Sequence, residues 1–571
     1  MATSSTESLN QEIAQQKVLL NDLRKQQADA ATVDEAKKKL GDLQRALAQL
    51  HLQASGGVKD GGKKKERLLL KTPKGTRDYG PNEMFCREHI ERTVKECFTM
   101  YGGGCLDTPV FERKDILAGK YGEDAKLIFD LMDQGGEQLA LRYDHTVPLA
   151  RYLAMNGAVN TQSKLWQVGK VYRRDNPVMS KGRMREFSQA DFDISGVWDP
   201  MIPDAELISL LCTILTRLDV GEFTVKINHR KILDGIFEVC GVPSEKIRTI
   251  SSAVDKLDKM AWVDVKKEMT DEKGLDPVVA DKIGEYVKHK GGPTLLEQLK
   301  ADEALMANAS AKQGIQEMGI LFTYLQAYQV IDKLSFDMSL ARGLDYYTGI
   351  IYEAIVEASA PPGFKAANAF ASSSTLSAED EEEEIDESQV GVGSIAAGGR
   401  YDNLVGMFTA AAAGEGKKTA GLPCIGVSIG LDRVFAIVWP KWVAKGMRSK
   451  ATMVYVMSAG DGLLGERISL ARELRAAGLP TDFLFKNKPK LPMQFAAGER
   501  DEVPFAVILG ESELKEGLVT VKEQKWELVD GKKVKIESTD KGVKVRRDEL
   551  VRWLKDSPTY ADWASGKWVQ N

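Results

Sequence analysis

The sequence predicts a multidomain α/β protein: a core of strands and helices that includes an antiparallel strand pair, two amphipathic helices before it and a small α/β domain after it. Three observations carry this prediction. Apolar residues near the N-terminus step by three and four. The extended runs 164–172 and 185–194 flank a polar loop, as an antiparallel strand pair does. From Met453 onward, short apolar runs alternate with amphipathic ones, the pattern of strands and helices layered in one domain. A chain of 571 residues has room for three to five domains at roughly 100–200 residues each.

The N-terminal stripes come first. Leu9, Ile13, Gln16, Leu20 and Leu23 form one, and Val33, Ala36, Leu40, Leu43, Leu47 and Leu50 the other. Thr32 and Glu35 have capping-box spacing and start the second helix. An antiparallel hairpin within the chain buries both stripes; so does a short intermolecular coiled coil. We assign 1–53 to this unit and 54–70 to a basic tether, because Ala54 to Lys65 is glycine, serine and lysine with almost nothing apolar. Lys59 to Arg77 holds eight Lys or Arg against two acids, which suits a solvated linker or an RNA-attracting stripe acting through counterion release.

Residues 71–445 form the central domain. Pro81–Met100 has helical periodicity, and strands are expected at Leu106–Phe111, Ala140–Tyr143, Phe336–Ala341, Ile350–Val356 and Ile425–Ile429. A lysine-rich helical insertion spans about 244–330, with breakers at Gly274, Gly291–Pro293 and Gly314. Helix follows from Leu431 to about Trp439. Ala378–Glu387 holds eight acids in ten residues; such a run repels itself and reads as a solvated loop, about 360–389, or as a partner-binding segment. Residues 446–571 form the last domain, expected to have mostly parallel strands and lacking a P-loop or Gly-x-Gly-x-x-Gly.

Composition narrows the function. The net charge is −5, with 43% hydrophobic and 28% charged residues, ordinary for a soluble enzyme. Six cysteines without a Cys-x-x-Cys pair argue against a disulfide scaffold or a thiolate zinc site. The histidines His51, His89, His145, His229 and His289 are scattered, so no metal bound by protein ligands is expected. No apolar run approaches ~18 residues, so no membrane span is expected. Met1 to Leu9 is polar and no arginine precedes Arg24. That predicts a cytoplasmic protein, with a mitochondrial isoform left open.

Three arginine-centred segments carry chemistry. Val171-Tyr-Arg-Arg-Asp-Asn-Pro177 and Lys181-Gly-Arg-Met-Arg-Glu-Phe187 place five basic side chains on the loop between two strands, where guanidinium forks can surround a polyphosphate. Leu340-Ala-Arg-Gly-Leu-Asp-Tyr-Tyr-Thr-Gly349 puts Arg342 and two tyrosines at a strand end. Gly426-Val-Ser-Ile-Gly430-Leu-Asp-Arg433 alternates small residues along a strand and places Arg433 at a helix start, near the pole that favours phosphate.

Together these segments resemble the signature motifs of class II aminoacyl-tRNA synthetases. Arg342-Gly-Leu-Asp-Tyr-Tyr347, with Ala396-Ala-Gly-Gly-Arg-Tyr-Asp402 after it, is similar to the two histidine-specific motifs of the histidyl-tRNA synthetase family, over about Thr72 to the end. The first fifty residues resemble the tRNA-associated helical hairpin of several eukaryotic synthetases. The resemblance implies a class II antiparallel sheet core, a C-terminal α/β anticodon-binding domain, and ligation of L-histidine to histidine tRNA through a histidyl-adenylate. ATP would be used, with Mg2+ accompanying the nucleotide. It implies a homodimer, because Pro81–Met100 and the segment after it look like the family's first motif. A non-catalytic regulatory or tRNA-sensing paralogue is the competing reading.

Carried over by residue, the family implies that Asp144, Thr146 and Gln189 hold the histidine α-amino group. Asp193 and Tyr347, beside Tyr346, read the imidazole. Arg173 binds the α-phosphate and the substrate carboxylate, and Arg342 is the cationic catalyst beside it. Arg183 and Arg433 grip the β- and γ-phosphates; Phe187 stacks on adenine with Asp175 near its rim. His145 stands where the family usually has leucine, and strand alternation predicts that it packs away from Asp144 and Thr146.

Overall fold

The computed structural model describes residues 12–20, 32–33, 36–43, 46, 69–117, 120–132, 135–156, 162–258, 260–341, 346–356, 393–413, 421–447, 450–530, 532–536 and 540–564. Arg342, Glu35, most of the basic tether and the acidic run Ala378–Glu387 lie outside them. The chain divides into two compact units, Met1–Lys71 and Thr72–Asn571.

In the first unit, residues 12–20 and 36–43 are helical. Ile13, Leu20 and Ala36 are buried, and Gln16 Nε2 donates to Ala36 O at 3.3 Å. The two helical runs therefore touch within one chain, as the hairpin requires.

The second unit is built on a nine-stranded sheet. Its strands are β1 (Gly104–Cys105), β4 (Ser163–Tyr172), β5 (Glu186–Ser195), β6 (Phe223–His229), β7 (Lys290–Gly291), β8 (Leu334–Asp337), β9 (Ile350–Val356), β10 (Ala396–Arg400) and β11 (Cys424–Gly430); β2 (Phe111–Arg113) and β3 (Leu139–Leu141) pair separately. The order is β1-β4-β5-β11-β10-β9-β6-β8-β7, and every pairing from β4 through β6 is antiparallel. The β4–β5 ladder runs from Ser163↔Ser195 to Tyr172↔Glu186, so the arginine loop tops a rigid ribbon.

Alternation along β5 decides what each sheet face does. Ala190, Phe192 and Ile194 join the large apolar core with the helices Pro81–Met100, Ile202–Arg217 and Leu431–Ala444. Gln189, Asp191 and Asp193 are also buried, on the opposite face. The helical insertion is capped locally: the side chains of Asp276, Asp302 and Asn308 accept from Val278, Leu305 and Ala311 backbone N–H groups, satisfying donors that helix starts leave orphaned.

Five expectations need correction. Phe336–Ala341 is not a strand throughout: β8 ends at Asp337, whose side chain accepts from Ser339 N at 2.9 Å and turns the chain. Leu106–Phe111 is not one strand; β1 ends at Cys105 and β2 begins at Phe111. Leu106 N still bonds Trp166 O at 2.8 Å, but Thr108 O then accepts from the Arg142 guanidinium at 2.7 Å, which diverts the ladder. Gly314 does not break a helix: it lies inside Ala309–Ala327, where a Cβ would stand 2.7 Å from Ile232 Cγ1, so it permits close helix packing. The last central helix passes through Pro440 to Ala444. His145 lies in no strand; it precedes the helix Thr146–Met155.

The C-terminal sheet has β12 (Val454–Ala459), β13 (Thr481–Phe483), β14 (Phe505–Gly510), β15 (Leu518–Glu523) and β18 (Val543–Arg546), ordered β13-β12-β14-β15-β18. The first three are parallel, as expected, but β15 and β18 add antiparallel. A hairpin, β16 (Trp526–Val529) with β17 (Lys532–Lys535), stands outside this sheet. Among the described residues no helix is long and apolar enough to cross a membrane.

Candidate active site

The polar face of the nine-stranded sheet floors a cleft of about 510 Å³. Asp144, Thr146, Arg173, Phe187, Gln189, Tyr346, Tyr347 and Arg433 all line it. Leu340 and Ala341, which lead directly into Arg342, line it too. Glycines make the floor flat. A Cβ on Gly426 would stand 1.8 Å from Asp193 Oδ1, and one on Gly398 would stand 2.2 Å from Gly426 O.

Arg173 ends the β4 ribbon. Its Nε donates to Tyr143 O at 3.1 Å and its Nη2 to Gln189 Oε1 at 3.3 Å. The guanidinium lies 4.2 Å from the Tyr143 ring and 5.1 Å from that of Phe187, which fixes its plane. Gln189 Nε2 in turn donates to both Asp191 oxygens, at 2.8 and 3.1 Å. The amide orientation is thereby set: its oxygen faces the cation and its nitrogen the acid.

Acids crowd the floor. Asp144 accepts from Tyr121 Oη at 2.9 Å, from Val147 N at 3.1 Å and from Tyr346 Oη at 3.5 Å. Burial raises its carboxyl above the ordinary value, against the pull of those bonds and of Arg173. Burial pushes Asp191 up to about 7 despite hydrogen bonds from Ser428 and Gln189. Asp193 is raised as well, by burial and by Asp191 alongside. Asp193 does not line the cleft: it lies under the floor and accepts from Tyr401 Oη at 2.6 Å.

The arginine rim is held differently. Asp432 accepts from the Tyr79 hydroxyl, from Arg87 Nη1 at 2.6 Å and from Ser188 N at 2.7 Å. These contacts pin the first turn of the Arg433 helix to β5, and Arg433 Nη1 donates to Ser394 O. Gly182 has φ +70°, and a Cβ there would stand 2.5 Å from Asp432 O, so the arginine loop folds directly onto that helix start. Arg183 and Asp175 do not line the cleft. They form a two-point pair, Nε–Oδ2 at 3.0 Å and Nη2–Oδ1 at 2.7 Å.

His145 is buried, and its Nε2–H donates to Gln189 O, 3.2 Å away. Burial and the neighbouring Arg142 hold its imidazole down at about 3, so it is neutral and packs beneath the ribbon.

Several site residues escaped the sequence reading. Asp191 lies two positions from Gln189 on the same strand face, and that period was its only signal. Tyr121, Tyr401, Arg230, Arg248 and Glu353 reach the cleft or its underside from distant segments. Arg400 clamps the segment behind the paired tyrosines. Its carbonyl accepts from Thr348 N at 2.8 Å, its guanidinium pairs with buried Asp204 at 3.0 and 2.5 Å, and Asp402 accepts from Thr348 Oγ1 at 2.9 Å.

The histidyl-tRNA synthetase family pattern matches residues 75–362, and the anticodon binding domain pattern matches 453–557. A cytoplasmic histidine–tRNA ligase of Takifugu rubripes is 50% identical over 476 residues, 83% of this chain and 87% of its own. A mitochondrial histidine–tRNA ligase of Homo sapiens is 47% identical over 460 residues, 80% of this chain and 85% of its own. The crystal structure of histidyl-tRNA synthetase from Nostoc sp. matches with a TM-score of 0.64 at 27% identity, over 86% of this chain and 99% of that one. On a pattern that spans half its length and relatives that share about half its residues, the chain belongs to the histidyl-tRNA synthetase family.

Proposed function

We propose how this chain carries out the activity that family membership brings, the ligation of histidine to its tRNA, and which residues do each part. The observation that carries the assignment is the Arg173–Gln189–Asp191 relay, which sets a cation and an acceptor side by side at the cleft floor. The histidine carboxylate attacks the α-phosphorus of ATP and pyrophosphate leaves; a terminal tRNA hydroxyl then takes the acyl group and AMP leaves. The first step brings two anions together and spreads charge over phosphate oxygens. Arg173, with Arg342, neutralises that charge without having to reorganise.

Asp144, Thr146 and Gln189 hold the ammonium group of histidine. Tyr347, backed by the Asp193–Tyr401 pair, reads the imidazole. Phe187 supplies a flat face for adenine, with Asp175 at its rim. Arg433 takes a terminal phosphate, and Arg183 joins it by exchanging Asp175 for phosphate. Mg2+ would enter with the phosphates and neutralise their charge. Arg173 and Arg433 in one cleft, together with the C-terminal domain match, favour the enzyme over a non-catalytic paralogue.

The division into 1–53, 54–70, 71–445 and 446–571 follows these roles, with the last domain taking the anticodon. A homodimer is supported by the likeness of Pro81–Met100 to the family's first motif, and light scattering tests it. The named relatives are cytoplasmic and mitochondrial; we place the reaction of this chain in the cytoplasm, with a mitochondrial isoform left open. Histidine-dependent ATP–pyrophosphate exchange, run against the other amino acids, tests the whole reading: exchange with histidine alone supports it, and exchange with none, or with several equally, overturns it.

A further inference from the structure

The C-terminal domain contains an arginine where none belongs by ordinary packing. Arg467, on the helix Leu464–Ala476, is 0% exposed. Among the described residues it forms no ion pair. Its guanidinium is spent on one loop: Nη1 donates to Leu484 O at 3.0 Å, and Nη2 to Lys486 O at 2.7 Å and Asn487 O at 3.2 Å. Burying a cation without an acid is costly, so these three carbonyls are held at an expense that loop closure alone does not require. Gln494, also 0% exposed, holds the far end of the same loop, donating to Pro489 O at 3.2 Å and Ser458 O at 2.9 Å.

The loop so held presents Phe485, whose exposure is 80%. The Phe485 ring stands 5.1 Å from Phe483, edge to face, so the half-buried neighbour props it outward. Lys486, Lys488 and Lys490 follow it along the loop, all exposed; Lys488 Nζ lies 3.3 Å from Asp461 Oδ2. The position in the fold agrees. The chain passes from β12 to β13 on one side and then to β14 on the other. The loop leaves the carboxyl end of β13, the edge strand beside β12, and so lies at the end of the parallel strands where open α/β sheets take ligands.

A rigid exposed ring amid lysines matches the chemistry of a single-stranded nucleic acid, whose bases stack and whose phosphates need cations. We propose that Phe485 is a stacking platform for an unpaired base of the anticodon loop, with Arg467 as the buried support that presents it. The proposal rests on the reading of this domain as anticodon-binding and names the surface that does the binding.

The test uses the full chain and a fluorescently labelled anticodon stem–loop of histidine tRNA. Phe485→Ala weakens binding by about tenfold, within the range measured when stacking aromatics are truncated. Phe485→Trp retains affinity, because any aromatic face serves. A stem–loop with abasic loop positions binds the wild type as weakly as the normal one binds Phe485→Ala. The salt slope stays the same, since the phosphate contacts remain, and histidine-dependent pyrophosphate exchange is unchanged. Stem–loop binding by Phe485→Ala within twofold of wild type overturns the proposal while leaving the domain's role intact. So does equal loss in Phe485→Ala and Phe485→Trp, or full affinity for the abasic loop. Failure of the wild type to bind the stem–loop at all, while charging whole tRNA, instead removes the anticodon reading and the proposal with it.

Discussion

The floor and the rim of the cleft use charge in opposite ways. On the floor, Asp144, Asp191 and Asp193 are buried, raised in pKa and satisfied by tyrosine, serine and amide donors. On the rim, Arg183 is 38% exposed and paired with Asp175, an interaction that solvent weakens. A floor of this kind is preorganised for one small ligand, because each group already has a partner and an ill-fitting guest strands one of them. A rim of this kind adapts, exchanging one carboxylate for a more highly charged phosphate. On the proposed reading, amino-acid choice belongs to the floor and handling of ATP to the rim.

Arg173 spans the two regions, and its loss should have the largest effect. Arg173→Ala should lower the rate of pyrophosphate exchange by about 10²–10³, the usual cost of removing one preorganised donor at a developing anion. Stopped measurements at saturating ATP and histidine check this; a loss under about tenfold would deny Arg173 a place at the reacting phosphorus.

Arg183→Ala should act on the rim alone. It should raise the ATP KM by about tenfold, equivalent to roughly 1.4 kcal/mol, and leave the histidine KM near normal. The effect should shrink as salt is added, because an exposed guanidinium is screened. A change in histidine KM of the same size would erase the distinction between floor and rim.

The smallest effect expected is on stability. Asp191 titrates near 7 in the folded chain against an ordinary 3.8. Between those values the folded state keeps a proton that the unfolded state has lost, so stability falls as pH rises from about 4 to about 7 and then levels off. Asp191→Asn should flatten this slope, visible as a difference of a few degrees in Tm between the two ends of that range. An unchanged slope would mean that the buried carboxyl does not hold its proton.

How much was legible in advance follows from how local each signal is. β4, β5 and their loop were readable because period-two alternation and a polar break lie within thirty residues. Gln189 and Asp193 came from motif likeness, and Asp191 stood between them on the same face without a motif to name it. Tyr121 lies in no motif, and Tyr401 lies inside the second histidine-specific motif without a role of its own, since only the folded sheet brings them to Asp144 and Asp193. β15 and β18 escape the reading because each is short and buries only one or two side chains, Val519 and Val521 in the first and Val545 in the second. Arg467 reads as a surface residue of an amphipathic helix; its burial depends on a loop that closes over it from the next strand.

The most direct test of the division between floor and rim is the pair of Michaelis constants for Asp193→Ala in histidine-dependent pyrophosphate exchange. The account predicts a large rise in the histidine KM, with loss of preference for histidine over apolar analogues, and an ATP KM close to that of the wild type. An equal rise in both constants, or a histidine KM left unchanged, would contradict it.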